Sequence, residues 1–503
     1  MALRLYNTLR KGEEDLVPQD LAAAQAEGRP ARVTVYTCGP TVYGRPHIGN
    51  YASFLLADLL CRWLEAGWGY VVRQVKNITD VGHLVRDSDS GEDKIEKQAR
   101  EEHGEVSQKS VLAVAKHYES LYLKDEESLN IRKLEPKDRP HASEYVAQMV
   151  EMIESLLRSD HAYITADGIY FDVTSKTPTP YGSLSGNTLE NLSAGARVEV
   201  NEGKRHPADF ALWKFCVGAN EHHVLRWASP KGLKGETYPE GFPGWHIECS
   251  AMSRALLGDQ IDLHTGGEDN IFPHHECEIA QSECVTGKKP FVGIWLHRRR
   301  IDLKGEKMSK SLGNVVSLDD ITAKGFSLMD LRFYFLSVHY RTNLKFDWDG
   351  LEAAKVARKK IMAWMDQGPV VIEWSTGEAP PPPVTSVLRA FDDAFSNAMN
   401  SDLNVSSALA SVFDAMHYMN THAALMNDSE WDSAFNNFVA KIRHTFGCFD
   451  PDVVSPQAQA LLDERDQARK NKDFAASDRL RDELLALGWQ VKDTKDGQKL
   501  SRA

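Results

Sequence analysis

Residues 32 to 79 read RVTVYTCGPTVYGRPHIGNYASFLLADLLCRWLEAGWGYVVRQVKNIT, and their pattern decides the fold. RVTVYTC is a short β-branched run. HIGNYASFLLADLLCRWLEAG carries apolar residues at helical spacing with a glycine at its end, and YVVRQVKNIT is a second strand. Strand, helix and strand in that order make one βαβ unit of a parallel sheet. A second series begins near Trp245: helix WHIECSAMSRALLG, strand IDLHTG, a helix from Pro273 to about Val285, strand VGIWLH, then a loop containing KGEKMSKSLGN. The two series read as halves of one doubly wound α/β domain. Residues 105–225 separate them with long helical stretches followed by GIYFDV, the pattern of an insertion.

Length and composition set the bounds. At 503 residues with 42% hydrophobic side chains, the chain has material for three or four domain cores. The opening MALRLYNTLRKGEEDL holds no unbroken apolar segment, and no stretch approaches the roughly 18 apolar residues that span a bilayer, so a cytoplasmic protein is expected. Seven cysteines are too sparse for a disulfide framework, and reduced thiols or metal ligands are the expectation. The net charge of −13 disfavours indiscriminate nucleic-acid binding. Residues 461–503 differ, with ten Lys/Arg against nine Asp/Glu. Proline-rich GEAPPPPVTS (377–386) and FDPDVVSPQ (449–457) break the helical tail, and ALLDERDQARKNKDFAASDRLRDELLALG reads as amphipathic helix closed by Gly488 before the apolar WQV.

Two loops carry chemistry. The glycines of CGPTVYGRPHIGN lie between a strand and a helix, where free backbone N–H groups and the helix dipole favour phosphate; a tight turn with a polar cap is the alternative. Its spacing matches neither the dinucleotide fingerprint nor the P-loop. In KMSKS (307–311), Lys307 and Lys310 are flanked by Gly305 and Gly313, and mobile ammonium groups suit the charge that develops on a departing pyrophosphate. Cys38, at the end of the first strand, is either a buried thiol or a ligand.

HIGN resembles the HIGH signature, and KMSKS matches the second signature, of class I aminoacyl-tRNA synthetases. YTCGPTVYGRPHIGN, KNITDVGH, GFPGWHIECSAM, DLHTGGEDNIFPHHECEIAQS and KMSKSLGN together resemble the cysteinyl-tRNA synthetase family, from about residue 3 through 350, with 461–503 similar to that family's terminal segment. The resemblance implies a Rossmann-type catalytic domain in two halves (1–104 and 226–300) around a connective insertion (105–225). It further implies a KMSKS loop with a stem-contact fold (301–350), a helical bundle (351–454) and an anticodon-binding domain (455–503). The implied reaction activates L-cysteine with ATP and Mg²⁺ and transfers it to tRNA(Cys), with no membrane association, in a monomer. His47, Asn50, Lys307 and Lys310 would act on the phosphates; Gly39, Thr79, Trp245, His264 and Asp269 would line the amino-acid pocket.

The family also implies one zinc ion held by Cys38, Cys249, His274 and Glu278. His274 and Glu278 stand four apart on one helix face just after Pro273, and Cys38 and Cys249 come from opposite halves of the sheet. The chain departs from the pattern twice. Asn50 replaces the second histidine of HIGH, keeping a donor but losing a charge, and Cys277 adds a thiol within HHECE. Three other readings compete: a cysteine-activating ligase that joins cysteine to an amino-sugar, which would not need the helical tail; a zinc hydrolase using Glu276 or Glu278 as base; and a non-catalytic tRNA binder. For the terminal segment, Arg469, Lys470, Lys472, Arg479 and Arg481 are the expected anticodon contacts, with Trp489 as a base-stacking platform.

Overall fold

The computed structural model describes residues 2–84, 92–195, 203–303, 306–307, 315–367, 384–421, 429–450, 456–487, 489–494 and 497–502. The first βαβ unit is as expected: β1 (Arg32–Thr37), α1 (Ile48–Trp68) and β2 (Val71–Lys76). The helix runs one residue past Gly67, which lies against Trp63 so closely that a Cβ would come within 2.5 Å of the indole. It stops where Gly69 takes φ 63°, a left-handed cap that frees its N–H for the carbonyls of Glu65 and Leu64. The second half supplies α2 (Trp245–Leu257), β3 (Ile261–Gly267), α3 (Glu276–Thr286) and β4 (Val292–Arg298).

All four strands are parallel, in the order β4-β3-β1-β2. From β1 the chain crosses outward to β2, and from β3 outward the other way to β4. The contact between β1 and β3, where Tyr36 faces His264 and Thr37 faces Thr265, is therefore the topological switch point, whose carboxyl edge opens as a crevice. Such a sheet is covered on both sides, which is why Val33, Val35, Tyr36 and Leu263 are fully buried.

Between β2 and α2 the chain contributes helices Lys94–His103, Gln108–Ser128 and Val146–Arg158 and an antiparallel sheet whose last strand, Gly241–Pro243, leads straight into α2. Beyond β4, Glu306–Lys307 and Leu344–Phe346 flank Ile301–Leu303 in a three-stranded sheet. Helices Leu328–Ser337, Trp348–Gln367, Val384–Asn400, Val405–Thr421 and Ser429–Phe446 follow.

The tail differs from its reading as continuous helix. Lys472 adopts φ 62° and Asp473 accepts from the Ala476 N–H at 3.0 Å, dividing the segment into Pro456–Lys470 and Phe474–Ala486. Trp489–Thr494 and Gly497–Arg502 then form an antiparallel hairpin. Trp489 is buried with Ala458 and Leu484 in the small core between hairpin and helices, which rules it out as a surface for stacking bases. Among the described residues, no helix is long and apolar enough to cross a membrane.

Candidate metal centre and active-site crevice

Cys38 leaves β1 at the switch point, Cys249 sits on the second turn of α2, and His274 and Glu278 lie on the turn that opens α3 and on α3 itself. Their four donor atoms lie within 4.8 Å of one another. The Cys38 and Cys249 sulfurs are 3.9 Å apart, close to the edge of about 3.8 Å expected for a tetrahedron with zinc–sulfur bonds of about 2.3 Å. Glu278 Oε1 is 3.1 Å from His274 Nε2 and 3.7 Å from the Cys38 sulfur. The other ring nitrogen of His274 faces His246 Nδ1 at 3.0 Å, the outer contact that orients a ligating imidazole. Two thiols, an imidazole and a carboxylate, buried and convergent, fit a zinc ion.

The electrostatics are those of a site assembled for a cation. Burial resists charge throughout, yet His264 and His274 hold Glu278 down to about 2, and Cys249 and Glu278 push His274 up to about 10. Burial and the neighbouring Cys249 raise the Cys38 thiol, while Cys249, despite its own burial, is lowered by Cys38 and His274.

Around this cluster the crevice is lined by the loop after β1. Val42 N–H and Thr79 N–H exchange bonds with the carbonyls of Thr79 and Pro40 at 3.1 and 3.0 Å, so this loop lies along the chain leaving β2. Gly39 N–H donates to Asn77 Oδ1 at 2.9 Å, and a Cβ on Gly39 would lie 1.6 Å from the Asn77 carbonyl oxygen; only glycine fits. Thr79 is buried, accepting from the Asn77 amide at 3.1 Å and donating to Glu248 at 3.0 Å. Trp245 is sandwiched between His83 (4.1 Å between ring centres) and His274 (4.3 Å), and His264 meets Glu278 Oε2 at 3.1 Å. Asp269 stands apart, exposed in the turn Glu268–Asn270 beyond β3.

His47 caps α1: its Nδ1 accepts from the Gly49 N–H at 3.1 Å, and Asn50 Oδ1 returns the favour to the His47 N–H at 3.1 Å. The Ile48 N–H donates to the Val316 carbonyl at 3.0 Å. These bonds engage the N–H groups of His47, Ile48 and Gly49 at the start of the helix. The backbone of Lys307 stands opposite Asp302 in the register of the three-stranded sheet; Lys310 lies outside the described residues.

Asn77, Glu248, His246 and His275 line the site without having been singled out from the sequence. Each lies within one or two residues of a motif position, and that adjacency was the only signal available. Cys277 belongs to neither convergent donor group and lies 3.5 Å from the Tyr181 hydroxyl. Glu276 accepts from the N–H groups of Leu184 (3.3 Å) and Ser185 (2.9 Å), so it ties α3 to the turn at 184–185 and is not poised as a hydrolytic base.

Residues 24–356 match the family model described as tRNA synthetases class I (C) catalytic domain, and residues 451–499 match the cysteinyl-tRNA ligase anticodon binding domain. A curated cysteine–tRNA ligase of Thermus thermophilus is 40% identical over 512 residues, covering 99% of this chain and 98% of its own. That of Chlorobaculum tepidum is 37% identical over 522 residues, covering 100% and 99%. Among solved structures, the LeuRS–tRNA–LeuAMS ternary complex of Agrobacterium radiobacter superposes with a TM-score of 0.58 at 11% identity, covering 84% of each chain. Mycobacterium tuberculosis methionyl-tRNA synthetase with methionyl-adenylate gives 0.52 at 15% identity, covering 83% of this chain and 89% of that one. At such identities these two structures speak to the fold alone.

Proposed function

The chain belongs to the cysteine–tRNA ligase family and has that activity, and from this premise we propose that Cys38, Cys249, His274 and Glu278 hold one zinc ion that reads the substrate's sulfur. The convergence of these four donors at the switch point carries the reading. Bound zinc stabilises a thiolate near neutral pH and favours a hydroxyl far less. The protein's own groups do the rest. Gly39 lets the loop after β1 close against Asn77, Thr79 is held by Asn77 and Glu248, Trp245 forms a rigid wall between two imidazoles, and His264 steadies the second oxygen of Glu278.

In the activation step a carboxylate oxygen of cysteine attacks the α-phosphorus of ATP, the bond to the bridging oxygen breaks, and pyrophosphate leaves. His47 and Asn50 stabilise the phosphates from the start of α1, while Lys307 and Lys310 take up the charge on the leaving group, with Mg²⁺ accompanying ATP. A terminal 2'-hydroxyl of tRNA(Cys) then attacks the adenylate carbonyl, releasing AMP. Lys310→Ala is expected to slow adenylate formation about 100-fold while leaving the KM for cysteine within about twofold, because its charge is complementary mainly to the transition state. Stopped-flow or exchange kinetics that showed KM and kcat changing equally would remove the lysine from that role.

We divide the chain as the sequence suggested, with residues 455–503 reading the anticodon. The surface there offers Arg479 and Arg481, each within reach of an acidic neighbour, and Phe474, whose side chain is 63% exposed beside Lys472. An exposed aromatic next to cations suits an unpaired base, and Phe474 takes the part Trp489 cannot. Deleting 455–503 should spare ATP–pyrophosphate exchange and depress aminoacylation; Phe474→Ala should raise the KM for tRNA several-fold with exchange unchanged. Normal charging by the truncated enzyme would refute the assignment. The reading also takes the enzyme as a cytoplasmic monomer; none of the seven cysteines is in a disulfide, which suits a reducing compartment.

Zinc content by mass spectrometry, with pyrophosphate exchange for cysteine against serine, tests the central claim. Cys277→Ala should leave both at wild-type values. Loss of zinc in that variant would show that the wrong thiol had been chosen.

A further inference from the structure

We propose that a second divalent metal position overlaps the first, formed by Cys38, His264, His275 and Glu278. This inference rests on the reading of the first position as a metal site and goes beyond it. The donor atoms of this set also lie within 4.8 Å of one another. His264, His275 and Glu278 are fully buried.

The geometry divides the shared residues between the two sets. Glu278 directs Oε1 to His274, in the first set, and Oε2 to His264, in the second, each at 3.1 Å. One carboxylate can therefore serve two ions with one oxygen each. The Cys38 sulfur is 3.9 Å from Cys249 on one side and 3.2 Å from His275 Nε2 on the other, the placement of a bridging thiolate.

His275 also has the outer support of a ligand. Its Nδ1 is 2.8 Å from His297 Nε2, and His297 Nδ1 is 2.8 Å from the Thr8 hydroxyl, a relay that fixes the ring and leaves Nε2 directed at Cys38. Gly266 makes space for that imidazole, since a Cβ there would lie 2.6 Å from His275 Cε1. Thiolate, two imidazoles and carboxylate form a set that zinc and cobalt both accept. Because His264 also lines the proposed amino-acid pocket, filling this position would withdraw it from the substrate, and excess metal would inhibit cysteine activation.

The test titrates zinc-loaded enzyme with Co²⁺, follows thiolate-to-cobalt charge transfer in the near ultraviolet, and counts both metals by mass spectrometry after brief dialysis. Zinc is expected to stay at one per chain while cobalt adds about one more, and the added equivalent should be lost in both His275→Asn and His264→Asn, which keep the zinc. A total that never exceeds one, with cobalt merely exchanging for zinc, overturns the proposal. So does a second equivalent that survives in either variant. Failure of the first site reads differently: there, the tightly held zinc would survive Cys249→Ser, a residue outside the second set.

Discussion

Cys249→Ser is expected to lose zinc and lose its selectivity against serine together. Outer contacts to metal ligands are each worth about 10- to 100-fold in affinity, so replacing a ligating thiolate by a hydroxyl should weaken zinc by at least about 100-fold. Selectivity follows because serine and cysteine differ by one atom. A pocket that sorts by size or packing reaches only about 10²-fold, whereas a site that must bond a particular group reaches roughly 10⁴- to 10⁵-fold. The ratio of kcat/KM for cysteine over serine in pyrophosphate exchange should therefore fall from the upper range toward the lower. Chelation of the wild-type enzyme should do the same, and zinc should restore it. If metal-free enzyme still rejected serine as strongly, recognition of the sulfur would have to come from elsewhere in the crevice.

What the sequence disclosed about this site, and what it withheld, follows from the range of each interaction. β1, α1 and β2 were legible because strand and helix periods are local, and Gly67 and Gly69 mark the helix end within two residues. The spacing of His274 and Glu278 on one helix face is likewise local. That Cys38 meets Cys249 depends on β1 pairing with β3 across more than two hundred residues, which only the resemblance to a family supplied. The same register brings Tyr36 opposite His264 and sets His275 against Cys38, and no spacing in HHECE distinguishes a histidine facing the metal from its neighbour. The tail misled for a different reason. Helix periodicity continues across Asn471–Asp473, and the break shows only in the positive φ of Lys472 and the cap formed by Asp473. Trp489 reads as a surface aromatic because nothing local marks the hairpin that covers it.

Asp58→Ala should destabilise the enzyme by about 3–5 kcal/mol, because it leaves a buried guanidinium without its counter-charge. Asp58 lies in the middle of α1, the helix that presents His47 and Asn50, and both it and Arg332 are buried from solvent. Its carboxylate receives Arg62 Nε at 2.8 Å, the Arg132 N–H at 2.8 Å and the Arg332 guanidinium. Arg332 in turn donates to the carbonyls of Leu129 (3.0 Å), Asn130 (2.9 Å) and Phe446 (2.6 Å). One carboxylate thus fastens α1 to the chain just after helix Gln108–Ser128 and to the last turn of helix Ser429–Phe446. Burial opposes its ionisation, but Arg332 and Arg62 outweigh that and keep the carboxyl below its ordinary range. A lowered folded pKa contributes stability that is complete above the unfolded value of about 4 and is lost as pH falls through the folded one. The gap between wild type and Asp58→Ala in urea unfolding should therefore be full at pH 7 and narrow in acid. Asp58→Asn, which keeps the shape but not the charge, should fall between them, since the neutral amide can still accept from the Arg132 N–H. A gap below about 1 kcal/mol at neutral pH would mean that the carbonyls around Arg332 satisfy the cation unaided, and that α1 is held to the bundle by packing alone.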